Sequence, residues 1–234
     1  RPLLATKYAA TSLAVYGEAE WPLSDRVSLT AGMRVETRSA DYSDSDGARF
    51  NPRDTMAGGQ VSLQGPLGES NRWYATVARG YKAGGFNIGQ FVPDEQRQFT
   101  PEYLWNAESG MRFGNAEAGV QGEVAFFYMW REDQQVATSF QLDPGDPLSY
   151  VFFTDNAARG RNYGLEASLA WQPVERLQFG ATLGLLHSEY VGYRYGDRNL
   201  DGRDQAHAPG YQYSVSAQWG GGEGWMARAD LNGV

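Results

Sequence analysis

Three groups of residues in this sequence have types and spacing that could do chemistry. The loop Asp197-Arg198-Asn199-Leu200-Asp201-Gly202-Arg203-Asp204 places oxygen-bearing side chains at alternate positions ahead of a glycine. Asp197, Asn199, Asp201 and Asp204 could thereby wrap a hard cation such as calcium. Ala208 stands where a calcium loop carries its bidentate glutamate, so a solvated acidic loop is the competing reading. The segment Tyr81-Lys82-Ala83-Gly84-Gly85-Phe86-Asn87 is the second group. Lys82 and Asn87 suit an anionic or polyhydroxylated ligand, and Tyr81 and Phe86 could stack on a ring. Gly84 and Gly85 would let the backbone approach closely. A purely structural turn is the alternative. The third group is a set of ionisable residues, Arg34, Glu36, Glu108, Arg112, Glu123, Arg131 and Glu166, within otherwise apolar segments. Such residues either pair with their neighbours or face a ligand or a second protein domain.

Catalytic chemistry finds little to work with. The chain has no cysteine and two histidines, which excludes thiolate nucleophiles and thiolate metal sites. None of the G-x-S-x-G, H-E-x-x-H or P-loop patterns occurs. His187, beside Glu189, is the one conceivable general base. No catalytic residue is therefore assigned, no enzyme activity is expected, and no cofactor is expected apart from calcium in the 197–204 loop. A formal net charge of -8, with lysine only at Lys7 and Lys82 and no basic run, argues against a nucleic-acid partner.

The elements that must hold these groups alternate with period 2. From Val27 to Glu36 the odd positions Val27, Leu29, Ala31, Met33 and Val35 are apolar, and the even positions are polar or small. The same split recurs at Val15–Trp21, Leu165–Trp171, Phe179–Leu185 and Tyr211–Trp219. About ten long strands are expected, joined alternately by tight turns and by long polar connections at about 42–53, 81–101, 132–162 and 190–209. The fold class is thus all-β, an antiparallel up-and-down meander. No apolar run approaches the roughly 20 residues of a membrane helix. Yet Trp21, Trp73, Trp171, Trp219 and Trp225 all lie within two residues of a tight turn. Indole rings favour the headgroup level, so this spacing points to a girdle on a transmembrane β-barrel. Tyr42, Tyr81, Tyr128, Tyr163, Tyr190 and Tyr211, near the long connections, would supply a second girdle. The apolar face would then meet outer-membrane lipid and the charged face line a lumen.

Tyr81 to Asn87 closely resembles the GYKAGGFN motif of TonB-dependent outer-membrane receptors. Further matches follow in the same order. They are Pro101-Glu102 with Glu108, Gly110 and Arg112, then Asn162-Tyr163-Gly164-Leu165-Glu166 leading to Trp171-Gln172-Pro173, then Ala208-Pro209. The resemblance covers essentially the whole chain. It implies a barrel of about 22 strands around an amino-terminal plug, in the outer membrane of a Gram-negative bacterium. It also implies import of a ferric siderophore or another scarce small nutrient, energised by the TonB complex acting through the plug region. Tyr81, Lys82, Phe86 and Asn87 become candidate ligand contacts. Arg34, Glu36, Glu108, Arg112, Arg131 and Glu166 become candidate lumen-facing contacts to plug or ligand.

Ten strands are too few to close such a barrel. The expectation is that residues 1–234 are a partial barrel domain, with plug and terminal strands absent. The alternative is a soluble or surface-exposed carbohydrate-binding β-sheet protein, which would gather its aromatic residues on one concave face.

Overall fold

A computed structural model of the protein describes residues 4–89, 91–195, 198–220 and 224–234. Ten long strands run in chain order. They are β1 (Thr6–Pro22), β2 (Ser28–Asp44), β3 (Arg53–Leu67), β4 (Asn71–Lys82), β5 (Glu102–Asn115), β6 (Val120–Gln141), β7 (Tyr150–Val174), β8 (Leu177–Val191), β9 (Tyr211–Gly220) and β10 (Met226–Gly233). Each pairs antiparallel with the next, so spatial order equals sequence order and the sheet is the expected meander. The two-residue strand Arg49–Phe50 adds to β2, and Gly85–Phe86 pairs with Gln98–Phe99 in a small separate ribbon.

Register carries the sidedness across the whole sheet, because directly paired residues point to the same face. Trp21 pairs with Leu29 and Val15 with Val35 between β1 and β2. Val35 pairs with Ala57 and Leu29 with Leu63, and Val61 pairs with Val77 on β4. The apolar row continues through Ala107, Tyr128 and Tyr163 to His187, and Ala181 pairs with Val215, which pairs with Leu231. One continuous face therefore collects the apolar residues of all ten strands. It is open to the surroundings, with Val15 75%, Phe126 57% and Leu231 61% exposed. An uncovered apolar face of ten strands exceeds by far the few hundred Å² that soluble monomers expose.

Aromatic side chains bound this band at both ends. At the tight-turn end Trp171 stacks on Phe179 at 5.5 Å between ring centroids. At the other end Trp105 stacks on Trp130 at 5.8 Å, and Tyr128 stacks on Tyr163 at 6.2 Å. Trp171 and Tyr163 are eight positions apart on β7. That is about 27 Å of strand, or roughly 20 Å of height at the tilt usual for outer-membrane barrels. The intervening outward residues, Leu165, Ala167 and Leu169, carry no charge.

Two expectations need correction. Of the six tyrosines expected in the second girdle, Tyr42, Tyr81 and Tyr190 do not stand in it, since Tyr42 packs inward against Phe50 and Phe86, and Tyr81 bonds inward-facing Arg34 and Glu36. Tyr190, near the end of β8, packs on Tyr193 of the loop that follows. Trp105 and Trp130, which the tight-turn rule left aside, take their place beside Tyr128 and Tyr163. The stretch 132–162 is also no long connection. β6 and β7 continue through it for 22 and 25 residues in all, joined by a short loop at 142–149. Register shifts between Asn156 and Ala158 and between Ala158 and Gly160 mark bulges there, and Asp133 adopts φ 53°.

The loop after β2 is pinned by Asp44, which lies well beyond the aromatic belt. Its carboxylate accepts the N–H groups of Asp46 at 3.0 Å and Ala48 at 2.9 Å and the Tyr42 hydroxyl at 3.0 Å. Burial opposes its charge, but these donors prevail and hold its pKa below the ordinary carboxylate value. A lowered folded pKa means that the anchoring is complete above the ordinary value and is lost as pH falls through the folded one. Amide exchange at Asp46 and Ala48 is expected to stay slow at mildly acidic pH and to accelerate only below the ordinary carboxylate range. Acceleration already near pH 5 would refute the anchoring.

Candidate functional site

The inner face of the wall holds the ionisable residues singled out in the sequence, and these gather into three groups. The first lies in an open trough of about 730 Å³ across β4 to β10. Tyr74 projects over Gly110, where an added Cβ would sit 2.6 Å from its ring, so the glycine makes room for the phenol. The hydroxyl reaches Glu108 at 2.8 Å and Glu123 at 3.0 Å. Arg112 bridges to Glu123 at 3.2 Å, with its guanidinium 5.1 Å from the Tyr74 ring centre. Glu166 lines the same trough. A phenol has one hydrogen to share between two carboxylates, and Arg112 is the cation that balances the three acids here. The trough keeps an excess of acceptors, suited to cationic or hydroxyl-rich groups. Tyr74, its hub, was not singled out by sequence reading, although its period-2 place opposite the apolar Trp73 and Ala75 puts it on the inner face.

In the second group Arg34 bonds Glu36 at 2.7 Å and the Tyr81 hydroxyl at 3.0 Å, and Tyr81 also donates to Glu36 at 3.0 Å. Tyr81 lies across Gly58, whose Cβ would stand 3.1 Å from its ring. The β3–β4 ladder ends at Gly59 opposite Arg79, which frees Tyr81 to turn inward. In the third group Arg131 approaches Glu102 at 3.6 Å, and Glu102 also accepts the N–H of Gln135 at 2.9 Å. Arg131 opens onto a cavity of about 480 Å³ shared with Gln134, Asn162, Glu166, Gln205 and His207.

All six ionisable residues expected on the lumen face lie on the inner face of the sheet, in three groups rather than one site, with Glu166 lining both the trough and the Arg131 cavity. The Tyr81–Asn87 segment divides differently. Lys82 is exposed and pairs across the ladder with Glu102. Phe86 packs on Phe50 at 5.1 Å and Tyr42 at 4.8 Å. Asn87 is 9% exposed, and its amide donates to the carbonyls of Gln96 at 2.5 Å and Thr154 at 2.7 Å while its carbonyl accepts Thr154 N–H at 2.8 Å. Both amide hydrogens and the oxygen are thus committed within the fold, and Asn87 is a brace rather than a free ligand contact. Gly84 and Gly85 serve the same packing, with added Cβ atoms 2.4 Å from the Phe99 carbonyl oxygen and 2.6 Å from its ring.

The acidic loop offers less. Asp197 lies outside the described residues. The Asp201 carboxylate accepts Gly192 N–H at 2.6 Å, the Asn199 side-chain oxygen accepts Asp201 N–H at 3.1 Å, and the backbone of Asp204 forms an isolated antiparallel β-bridge with that of Glu189. Among the described residues no three acidic or imidazole groups converge as metal ligands. His187 sits on the outward face, 4.8 Å from Tyr163 and 3.7 Å from Glu189, away from the trough.

Residues 2–234 match the family described as TonB dependent receptor-like, beta-barrel. The chain belongs to this family. The family places the wall in the outer membrane of a Gram-negative bacterium, with short turns on the periplasmic rim and long loops outside. Among curated proteins, the pesticin receptor of Yersinia pestis is 32% identical over 197 residues, 81% of this chain. Its counterpart in Yersinia enterocolitica is 26% identical over the same share. The chain spans about 28% of the length of these relatives. Among solved structures, the ferric yersiniabactin uptake receptor FyuA from Yersinia pestis superposes with a TM-score of 0.77 at 24% identity, covering 98% of this chain and 35% of that one. The copper transporter OprC gives a TM-score of 0.76 at 14% identity, covering 96% and 36%. These two likenesses speak to the fold, which is that of receptor barrels, and the family is one of transport receptors.

Proposed function

We propose that this chain forms part of the wall of an outer-membrane receptor that binds a ferric siderophore and imports it with energy relayed from TonB through a plug domain. The observation that carries the reading is the sidedness of the sheet. An apolar band between two aromatic belts faces outward, and three charged groups face inward where a ligand would pass. Lys82, Arg34, Arg112 and Arg131 offer cationic contacts to an anionic ferric chelate, and the acidic trough offers acceptors to a partner domain. Relatives that take up ferric chelates support iron as the cargo. A soluble carbohydrate binder gains no support, because Trp171 and Phe179 at one end and Trp105, Trp130, Tyr128 and Tyr163 at the other stand as two belts on the outward face rather than on one concave face.

The test is uptake of radiolabelled iron by an iron-starved strain that lacks other siderophore receptors and carries the full-length receptor, with ferric yersiniabactin as the first probe. Uptake is expected well above the vector control and is expected to vanish when TonB is deleted. Uptake that persists without TonB would overturn the energised mechanism. Tight ferric-chelate binding by the purified receptor without uptake would overturn the import role.

A further inference from the structure

Among the described residues Arg79 is a cation on the lipid-facing side without a carboxylate partner. Arg79 belongs to the outward row in which β4 pairs it with Trp105, Trp105 pairs with Trp130, and Trp130 pairs with Arg161. Arg161 is neutralised by Glu189. Among the described residues Arg79 makes one hydrogen bond, to the Ala57 carbonyl at 2.6 Å, and no acid lies within ion-pair distance of it. On its other flank stands Gly59, with no side chain to cover it.

The guanidinium points in a definite direction. It lies 3.9 Å from the ring centre of Tyr103 but 5.6 Å from that of Trp105, and Tyr103 is the nearer of the two to the long-loop rim. Ala57 is likewise displaced toward that rim from Gly59, the residue opposite Arg79. The side chain therefore reaches from the upper part of the apolar band to the outer aromatic belt, as long cationic side chains do at a membrane surface. The guanidinium lies over the Tyr103 ring at 3.9 Å, and its other N–H groups have no partner among the described residues.

A fixed, unpaired guanidinium at the headgroup level is complementary to an anion, and the anion that the membrane supplies there is phosphate. We propose that Arg79, on its platform of Tyr103, Trp105 and Trp130, binds the phosphate of a phosphorylated lipid in the outer leaflet. This rests on the membrane placement of the wall and is independent of the cargo, so its test reads lipid and not iron.

Detergent-solubilised full-length receptor would be titrated, by native mass spectrometry, with a diacyl phosphatidic acid, its neutral diacylglycerol counterpart and free inorganic phosphate. Phosphatidic acid is expected to bind, diacylglycerol and free phosphate to bind far more weakly. Arg79→Gln is expected to weaken phosphatidic acid about fivefold, the factor set by an interfacial arginine of roughly 1 kcal/mol. Arg26→Gln, at the opposite rim, is expected to leave it unchanged. Arg79→Lys keeps the charge and is expected to retain most of the affinity, which covers the case that the glutamine variant does not fold. Equal binding of phosphatidic acid and diacylglycerol, equal binding of free phosphate, or affinity unaltered in both Arg79 variants would overturn the assignment.

Discussion

Replacing Leu183 with arginine is expected to lower the unfolding free energy of the complete receptor in a lipid bilayer by roughly 2 to 4 kcal/mol. Leu183 lies on the outward face of β8, between Phe179 at the tight-turn belt and His187 at the outer one. A guanidinium there has hydrocarbon on every side and reaches neither headgroup layer without distortion. Two neighbours act as controls. Thr182 points into the trough with Ser168 and Ser214, so Thr182→Arg places the same charge against water and is expected to cost little. Leu29 is also outward, yet it is the second residue of β2 and pairs with Trp21 at the tight-turn rim. Leu29→Arg is therefore expected to cost no more than about 1 kcal/mol, the value for interfacial depths. Reversible denaturation in lipid vesicles measures all three. Equal losses at Leu183 and Thr182 would show that the apolar face does not meet lipid.

The contrast between Leu183 and Leu29 shows how much the sequence could say. Alternation identified both as outward, because lipid on one side and water on the other impose period 2 wherever a strand crosses the bilayer. Depth depends on where the tight turn falls and on stagger between strands, which alternation does not encode. The same physics explains the misreading of residues 132–162. Beyond the belts both faces of a strand are wet, so Glu132 to Gln135 show no apolar face even though β6 continues through them. Pairing there is held by the backbone ladder, to which side-chain pattern is indifferent. Inner-face charges were legible as a set, since an arginine or glutamate that alternates with apolar neighbours along a strand faces the side opposite to them. Their division into groups was not legible, because Tyr74 and Tyr81 reach across neighbouring strands through gaps left by Gly110 and Gly58. Such gaps follow from three-dimensional adjacency, and glycines abound in this chain for several different reasons.

The segment Tyr81–Asn87 gives the second large effect. Asn87→Leu removes the side chain that ties the 83–100 loop to β7 and leaves Thr154 N–H, Thr154 C=O and Gln96 C=O without their partners. Leaving a buried backbone group unpaired costs about 1 to 3 kcal/mol, and Thr154 and Gln96, being half-buried, sit at or below the lower end of that range. The loop can recover part of this by opening, so the loss is expected to be local rather than global. Amides of the loop ribbon, Asn87 N–H to the Arg97 carbonyl among them, are expected to exchange with solvent at least about a hundredfold faster, while the β4–β5 ladder keeps its protection. Lys82→Ala, at an exposed position of the same motif, is expected to leave loop exchange unchanged. The pair separates the two roles that the motif could play. A brace predicts loop opening from Asn87→Leu even without ligand, whereas a pure ligand contact predicts an unaltered loop and weaker binding. Unchanged exchange in Asn87→Leu would therefore return Asn87 to the set of ligand contacts and remove the structural account of why this segment is built around Gly84, Gly85 and a buried amide.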